Sequence, residues 1–359
     1  MSFRFDVLIA LIALLGLALL APQIAGALFY NLANVQLAHA SALPTDAPLR
    51  TSELDSAELE LDRATGFSAA GRVPLAQTRI DMARGQPALA ASRHANADAA
   101  LRGDPIALFD WGQAAWDSGA SAVAFDRWRA AGAYVFFDQE MHRASDQHQW
   151  QAAAQFARIA VGIDPSSADA HYVLADALAQ QNVDDAQVLP ELDRARQLTV
   201  DREFLSTIIS RRGEVLAARG DLQGALDAFD QARAQAPIDA RPRTDYALVL
   251  VKLDPGRRDQ AVQLLTQVTK DSPWYTAAYI ALADFADADG QSDLAQRWLM
   301  AGLDHNPGNP DMLFALGQYY SRHDRIGDAG RYMTMALAAE TRADRLLAIS
   351  AALHGLSGQ

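Results

Sequence analysis

The chain has 359 residues, half of them hydrophobic, with a formal net charge of −13 and no cysteine. The missing thiols exclude disulfides, thiol redox chemistry, cysteine-based zinc sites, covalent haem attachment and a lipid-modified N-terminal cysteine. The acidic balance argues against nucleic acid as a partner, which calls for a basic stripe; Lys252 and Lys270 are the only lysines.

Residues 1–6 form a short tail whose positive side chain is Arg4, and residues 7–30 follow without a charge. As a helix that stretch spans about 36 Å, enough for a bilayer core of roughly 30 Å. We read residues 7–30 as a transmembrane signal anchor that contacts the lipid bilayer. The alternative is a cleavable signal peptide, cut at Ala25-Gly26-Ala27 or Ala38-His39-Ala40. The apolar stretch exceeds the core of a signal peptide, about 7–15 residues, which favours the anchor. A short tail before an apolar helix places the N-terminus in the cytoplasm and the rest of the chain outside it. Cleavage would instead give a periplasmic or secreted protein.

Residues 31–50 are expected to form a linker, given Pro44, Pro48, Asp46 and several small residues. Residues 51–70 are expected to be an N-terminal capping helix, with Leu54, Leu59 and Leu61 opposite a dense acidic face.

From residue 71 a helix–turn–helix pattern recurs up to residue 343. It is plainest in residues 206–239, where Gly213, Leu216, Gly220, Ala225, Phe229, Ala232 and Pro237 take up fixed spacings. Small Gly213 and Ala225 allow close helix approach, Gly220 can end the first helix in the left-handed conformation, and Asp221 can cap the second. Leu282-Ala283, Gly290, Ala295, Leu299, Gly302 and Pro307 repeat these slots, and Leu316-Gly317, Tyr320, Ala329 and Ala336 repeat them about 34 residues on. Further units start at Pro242, Ala168, Tyr134 and Pro105, and a faint one at Gly71. Residues 344–359 read as a C-terminal capping helix, since a terminal repeat needs a cover to stay soluble.

These residues and spacings resemble the tetratricopeptide repeat family, with Ile209 in place of the usual Trp and Arg212 in place of the Leu before Gly213. The resemblance implies an all-α, right-handed solenoid of about seven or eight helix pairs behind the transmembrane helix. It also implies a groove lined by the first helices, with ligands meeting roughly positions 2, 5, 9 and 12 of each repeat. Carried onto this sequence, those slots give the candidate partner-binding residues Phe109, Trp116, Tyr172, Asp176, Glu214, Tyr246, Asp284, Asp287 and Phe314. Aromatic rings interleaved with carboxylates suit an apolar protein or peptide segment carrying Arg or Lys. The same aromatics are equally readable as packing between neighbouring repeats.

No phosphate-binding loop, dinucleotide-binding glycine motif, nucleophile elbow or zinc-binding histidine pair is present. His142 and His148 are spaced off one helical face, which points to surface histidines rather than metal ligands. We therefore expect neither catalysis nor a cofactor. The chain resembles membrane-anchored tetratricopeptide scaffolds of bacterial envelopes, which organise partners in polysaccharide synthesis or export, cytochrome maturation, secretion or membrane-complex assembly. A second reading makes it a structural subunit whose main contact is the transmembrane helix itself, where Gly16 and Gly26 permit close packing.

Overall fold

Among the described residues of the computed structural model (23–65, 73–96, 103–181, 183 and 185–357), all regular structure is helical. Residues 23–42 form α1. It is followed by α2 (Pro48–Thr65), α3 (Val73–Ala83), α4 (Pro87–Ala95), α5 (Pro105–Asp117), α6 (Ser121–Ala130), α7 (Tyr134–Asp146) and α8 (Trp150–Ile163). Then come α9 (Ala168–Gln180), α10 (Asp185–Leu198), α11 (Arg202–Ala218), α12 (Leu222–Gln235), α13 (Ala240–Leu253) and α14 (Arg258–Asp271). The chain continues through α15 (Thr276–Ala288), α16 (Ser292–His305), α17 (Pro310–Arg322), α18 (Ile326–Ala339) and α19 (Ala343–Ser357). From α3 to α18 the helices alternate as first and second members of antiparallel hairpins, the pattern of a tetratricopeptide-like repeat.

Local chemistry explains the punctuation. Asp201, Asp221, Asp239 and Asn309 each precede a helix and accept from its free backbone N–H groups, Asp201 from Glu203 and Phe204, Asn309 from Met312. The turn inside a hairpin needs one residue with positive φ. Gly85, Gly119, Gly220 and Gly290 supply it, and His148 and Asp324 take the same role at φ 55° despite their side chains. The α9–α10 and α13–α14 hairpins lack such a residue among those described; the second uses a longer turn built on a single 3₁₀ turn, Pro255–Arg257.

The hairpins close tightly because the first helix offers a small residue to a large one on the second. A side chain at Gly112 would meet the Trp128 ring at 2.5 Å, one at Gly213 the Phe229 ring at 2.8 Å, and one at Gly317 the Met333 side chain at 2.5 Å. Trp128 and Phe229 are thereby almost wholly enclosed.

The chain divides into two compact units. One holds the residues up to Glu140 together with Arg158–Pro165; the other holds Met141–Ala157 and everything from Ser166 onward. In the first, Ala33, Leu37 and Ala40 of α1 pack with Leu54, Ala57 and Leu61 of α2 and with Val73, Ala76 and Ile80 of α3. In the second, successive clusters run from Ile209 and Phe229 through Leu265 and Leu282 to Leu316 and Tyr320, and end where Ile349 of α19 covers Leu313, Phe314 and Met333.

Two expectations change here. The segment read as a linker, 31–50, is helical through residue 42, because Ala33, Leu37 and Ala40 lie on one face and bury it. The capping helix expected at 51–70 starts earlier, at Pro48, and is described only to Thr65. Most of the transmembrane segment expected at 7–30 lies outside the described residues. Among the described residues no helix is long and apolar enough to cross a membrane.

Candidate functional site

The first helices of the second unit place one linked group of side chains on a shared face. Tyr172 and Asp176 stand on α9, Arg211 and Glu214 on α11, and Arg241 and Asp245 on α13. Arg211 forms an ion pair with Asp176, its Nε 2.8 Å from a carboxylate oxygen but not aligned to donate, and donates through a terminal nitrogen to Glu214 at 2.7 Å. Arg241 reaches back to the other Glu214 oxygen at 2.6 Å. Tyr172 meets the ring of Phe204 edge-on at 5.5 Å. Two guanidiniums thus bridge three consecutive first helices through two carboxylates.

Asp245 is the member left without a strong bond. Its Oδ2 is enclosed and makes no hydrogen bond. Burial, reinforced by the charge of Glu214, pushes its carboxyl up to about 7. Burial likewise raises Asp176, in opposition to Arg211, and raises the Tyr172 phenol. Tyr275, just ahead of α15, is also raised well above the usual phenol range, chiefly by burial and then by Asp245. The five charged groups carry one more negative than positive charge when Asp245 is ionised and balance when it is protonated.

A second group lies further along the same unit. Arg322 of α17 bonds Asp287 at 3.1 Å and Asp284 at 3.4 Å, and His323 bonds Asp287 at 2.7 Å. Burial raises the Asp284 carboxyl.

Against the residues expected from sequence, the structure brings Tyr172, Asp176 and Glu214 together, and separately Asp284 with Asp287. The carboxylates differ from expectation in having internal partners: Arg211, Arg241, Arg322 and His323 already meet them, so none stands as an open anion. Phe314 is a core residue, 8% exposed, because α19 lies over it and Arg345 sits on its ring at 5.3 Å. Phe109 and Trp116, in the first unit, belong to a packed aromatic group with Phe125, Trp128, Phe136 and Phe137. There they fill the space between helices.

Tyr246 is displaced for a different reason. Ala247 is fully buried and occupies the small-residue slot that Gly213 fills one repeat earlier, so the first helix is registered two residues ahead of the reading from Pro242. The longer Asp254–Arg257 turn takes up the difference. Tyr246 therefore turns towards α12, where Arg233 stacks on it at 4.2 Å. In keeping with this shift, Leu250 is wholly buried, while Leu248 is 40% exposed. In the corrected register Arg241 stands at position 2, one of the ligand-facing slots. Arg211, Asp245 and Tyr275 were missed because their positions are not among those the family pattern marks.

The fold is a tetratricopeptide-like helical repeat. Residues 252–313 match the tetratricopeptide repeat family model. A tetratricopeptide repeat protein from Parabacteroides merdae superposes with a TM-score of 0.52 at 14% identity, covering 70% of this chain and 98% of that one. PilF of Pseudomonas aeruginosa gives 0.44 at 17% identity, over 63% of this chain and 98% of that one. In sequence, the chain is similar to cellulose synthase operon protein C of Pseudomonas fluorescens, 27% identical over 156 residues, which is 44% of this chain and 12% of that protein. The chain thus matches only about an eighth of the length of this relative.

Proposed function

We propose that the chain is a scaffold that binds a protein or peptide partner on the first-helix face of its second unit, and that it performs no catalysis. The observation that carries this reading is the network around Arg211 and Arg241. It holds three first helices in register and leaves the enclosed Asp245 oxygen as an unmet acceptor beside Tyr275. A rigid, partly aromatic face with one unmet acceptor suits an extended segment that brings an Arg or Lys side chain. The likeness to cellulose synthase operon protein C supports a place in the assembly or export of an envelope polysaccharide. In this reading the chain is anchored through residues 7–30, with the repeats outside the cytoplasm.

A second contact has its own support. Ile24, Leu28, Leu32 and Val35 form an exposed apolar stripe on α1, opposite the face that packs into the first unit. That stripe suits a membrane or another helix in a membrane complex.

The test is capture of partners from a detergent extract by the whole chain, followed by binding of the identified partner to variants. Loss of binding with Tyr172→Ala plus Tyr275→Ala, in a chain of unchanged helicity, supports the groove. Removing residues 1–22, which spares the buried face of α1, should abolish capture only if the N-terminal segment is the contact. Removing residues 1–40 would take Ala33, Leu37 and Ala40 out of the core and is unsuitable.

A further inference from the structure

The first unit contains a cavity that the proposed scaffold role does not use. It has a volume of about 830 Å³ and lies between α1 and the first helices α3 and α5, with Arg50 of α2 and His94 of α4 completing its wall. That size falls in the range of small-molecule sites, roughly 300–1,000 Å³. Its lining mixes apolar groups such as Leu37 and Met82 with polar side chains, among them Asn34, Thr78 and Gln113.

His94 is the informative member. The residue is only 5% exposed, and its Nε2 has no hydrogen-bond partner. A buried ring nitrogen without a partner loses its bond to water and gains nothing in return. The ring is also held in place. It stacks on Trp111, with centroids 6.2 Å apart and planes 11° apart, and Arg127 sits over the Trp111 ring at 4.2 Å. Burial lowers the pKa of the imidazole, with Arg79 acting in the same sense and Asp110 against it. A neutral His94 presents Nε2 as a single donor or acceptor.

The charge of the lining is the second observation. Arg79 donates through Nε to Asp110 at 2.7 Å. Arg50 bonds two backbone carbonyls, Leu43 at 2.8 Å and Ala83 at 3.0 Å, and has no carboxylate partner among the described residues. Two guanidiniums therefore face the cavity against one carboxylate, in a chain whose net charge is −13. A locally cationic, partly apolar hollow in an acidic protein selects for an anion with an apolar body.

We infer that this cavity binds a small organic monoanion, its oxyanion taken by Arg50 and Arg79 and a polar atom of its body meeting Nε2 of His94. Phosphate alone would leave the apolar wall unfilled. A neutral apolar molecule would leave the charge of Arg50 without a counter-ion.

The test uses the full-length chain and two fluorescent probes of similar shape, 8-anilinonaphthalene-1-sulfonate and the neutral N-phenyl-1-naphthylamine. The sulfonate should bind at a site where saturation shifts the His94 Nε2 resonance, identified by its disappearance in His94→Gln. Arg79→Gln should weaken the sulfonate by about tenfold or more and leave the neutral probe nearly unchanged. Ala38→Trp, from an exposed position on the cavity rim, should block both probes. Leu347→Trp, an exposed site in the other unit, should block neither. If Ala38→Trp fails to fold, the His94 resonance and the Arg79→Gln selectivity decide the matter. The inference is overturned if sulfonate leaves the His94 resonance unmoved, or if Arg79→Gln affects both probes alike.

Discussion

Gly213 on α11 lies directly against the ring of Phe229 on α12: a β-carbon built at Gly213 would stand 2.8 Å from that ring, closer than any real contact. Phe229 is 1% exposed and cannot swing away. Gly213→Leu should therefore force the hairpin apart, at a cost of about 1–3 kcal/mol or more. Because repeats are stabilised by their neighbours, protection from hydrogen exchange should drop in α9 to α14 and not only in α11 and α12. Unchanged protection there would contradict the packing described.

The ion pairs of this face are structural. The Arg211 side chain is 13% exposed and shares itself between Asp176 and Glu214. Burial outweighs Arg211 in raising the Asp176 carboxyl, so the prediction falls on the cation: Arg211→Met leaves Asp176 without its ion-pair partner and Glu214 with one fewer, and should destabilise the second unit by about 1–3 kcal/mol. Urea denaturation measures this. Adding Asp176→Asn to Arg211→Met should recover part of the loss, since it removes the carboxylate that lost its cation.

Asp245 gives the unit a pH dependence whose sign follows from its pKa. Its carboxyl is raised from 3.8 in the unfolded chain to about 7 in the fold, chiefly by burial, with Glu214 and Asp239 adding to the rise and Arg241 opposing it. Between those values the folded chain holds a proton the unfolded chain has lost, so this group's stabilising contribution falls as pH rises from about 4 to about 7. Asp245→Asn should be more stable than the parent at pH 8, by on the order of 2 kcal/mol, and the gain should vanish towards pH 4. An equal difference at both pH values would show that Asp245 is not a buried acid.

The C-terminal helix responds in the opposite direction. Glu340 accepts from Arg342 Nε at 2.9 Å and from the backbone N–H groups of Thr341 and Arg342 at 3.0 Å. The Arg342 side-chain bond is the main cause that holds its pKa at about 2, against 4.5 unfolded. This contribution is complete above about pH 4.5 and is lost as pH falls towards 2. Acidification should therefore release α19 early, which exposes Phe314 and Met333. Hydrogen exchange of residues 343–357 between pH 5 and pH 3 would show it, and Glu340→Gln should release the helix already at neutral pH.

Much of this was legible in the chain. Gly213, Ala225, Phe229 and Gly220 define one hairpin because each does a steric task no other residue type does as well, and their recurrence gives the fold class. Side-chain partners were harder to foresee. Nothing in the local pattern tells that Arg211 meets Asp176 or that Arg241 meets Glu214, since those contacts cross from one repeat to the next; the i,i+3 pair of Arg211 with Glu214 was legible. Tyr246 was misplaced by an insertion in a turn, which shifts a helix without disturbing its periodicity. The burial of α1 escaped notice because Ala33, Leu37 and Ala40 carry little hydrophobic signal by themselves and gain their meaning only from the surfaces of α2 and α3.

The central claim is that partners bind on the first-helix face of the second unit. Site-specific photo-crosslinking in cells tests it most directly, because it traps a partner whose identity has still to be found. A benzophenone side chain would be placed at Tyr172 or at Tyr275, and, as the opposing surface, at Asp227, an exposed position on the second helix α12. The account predicts adducts of the same discrete mass from positions 172 and 275 and none from 227. Adducts from 227 alone would contradict it and would move the binding surface to the second helices.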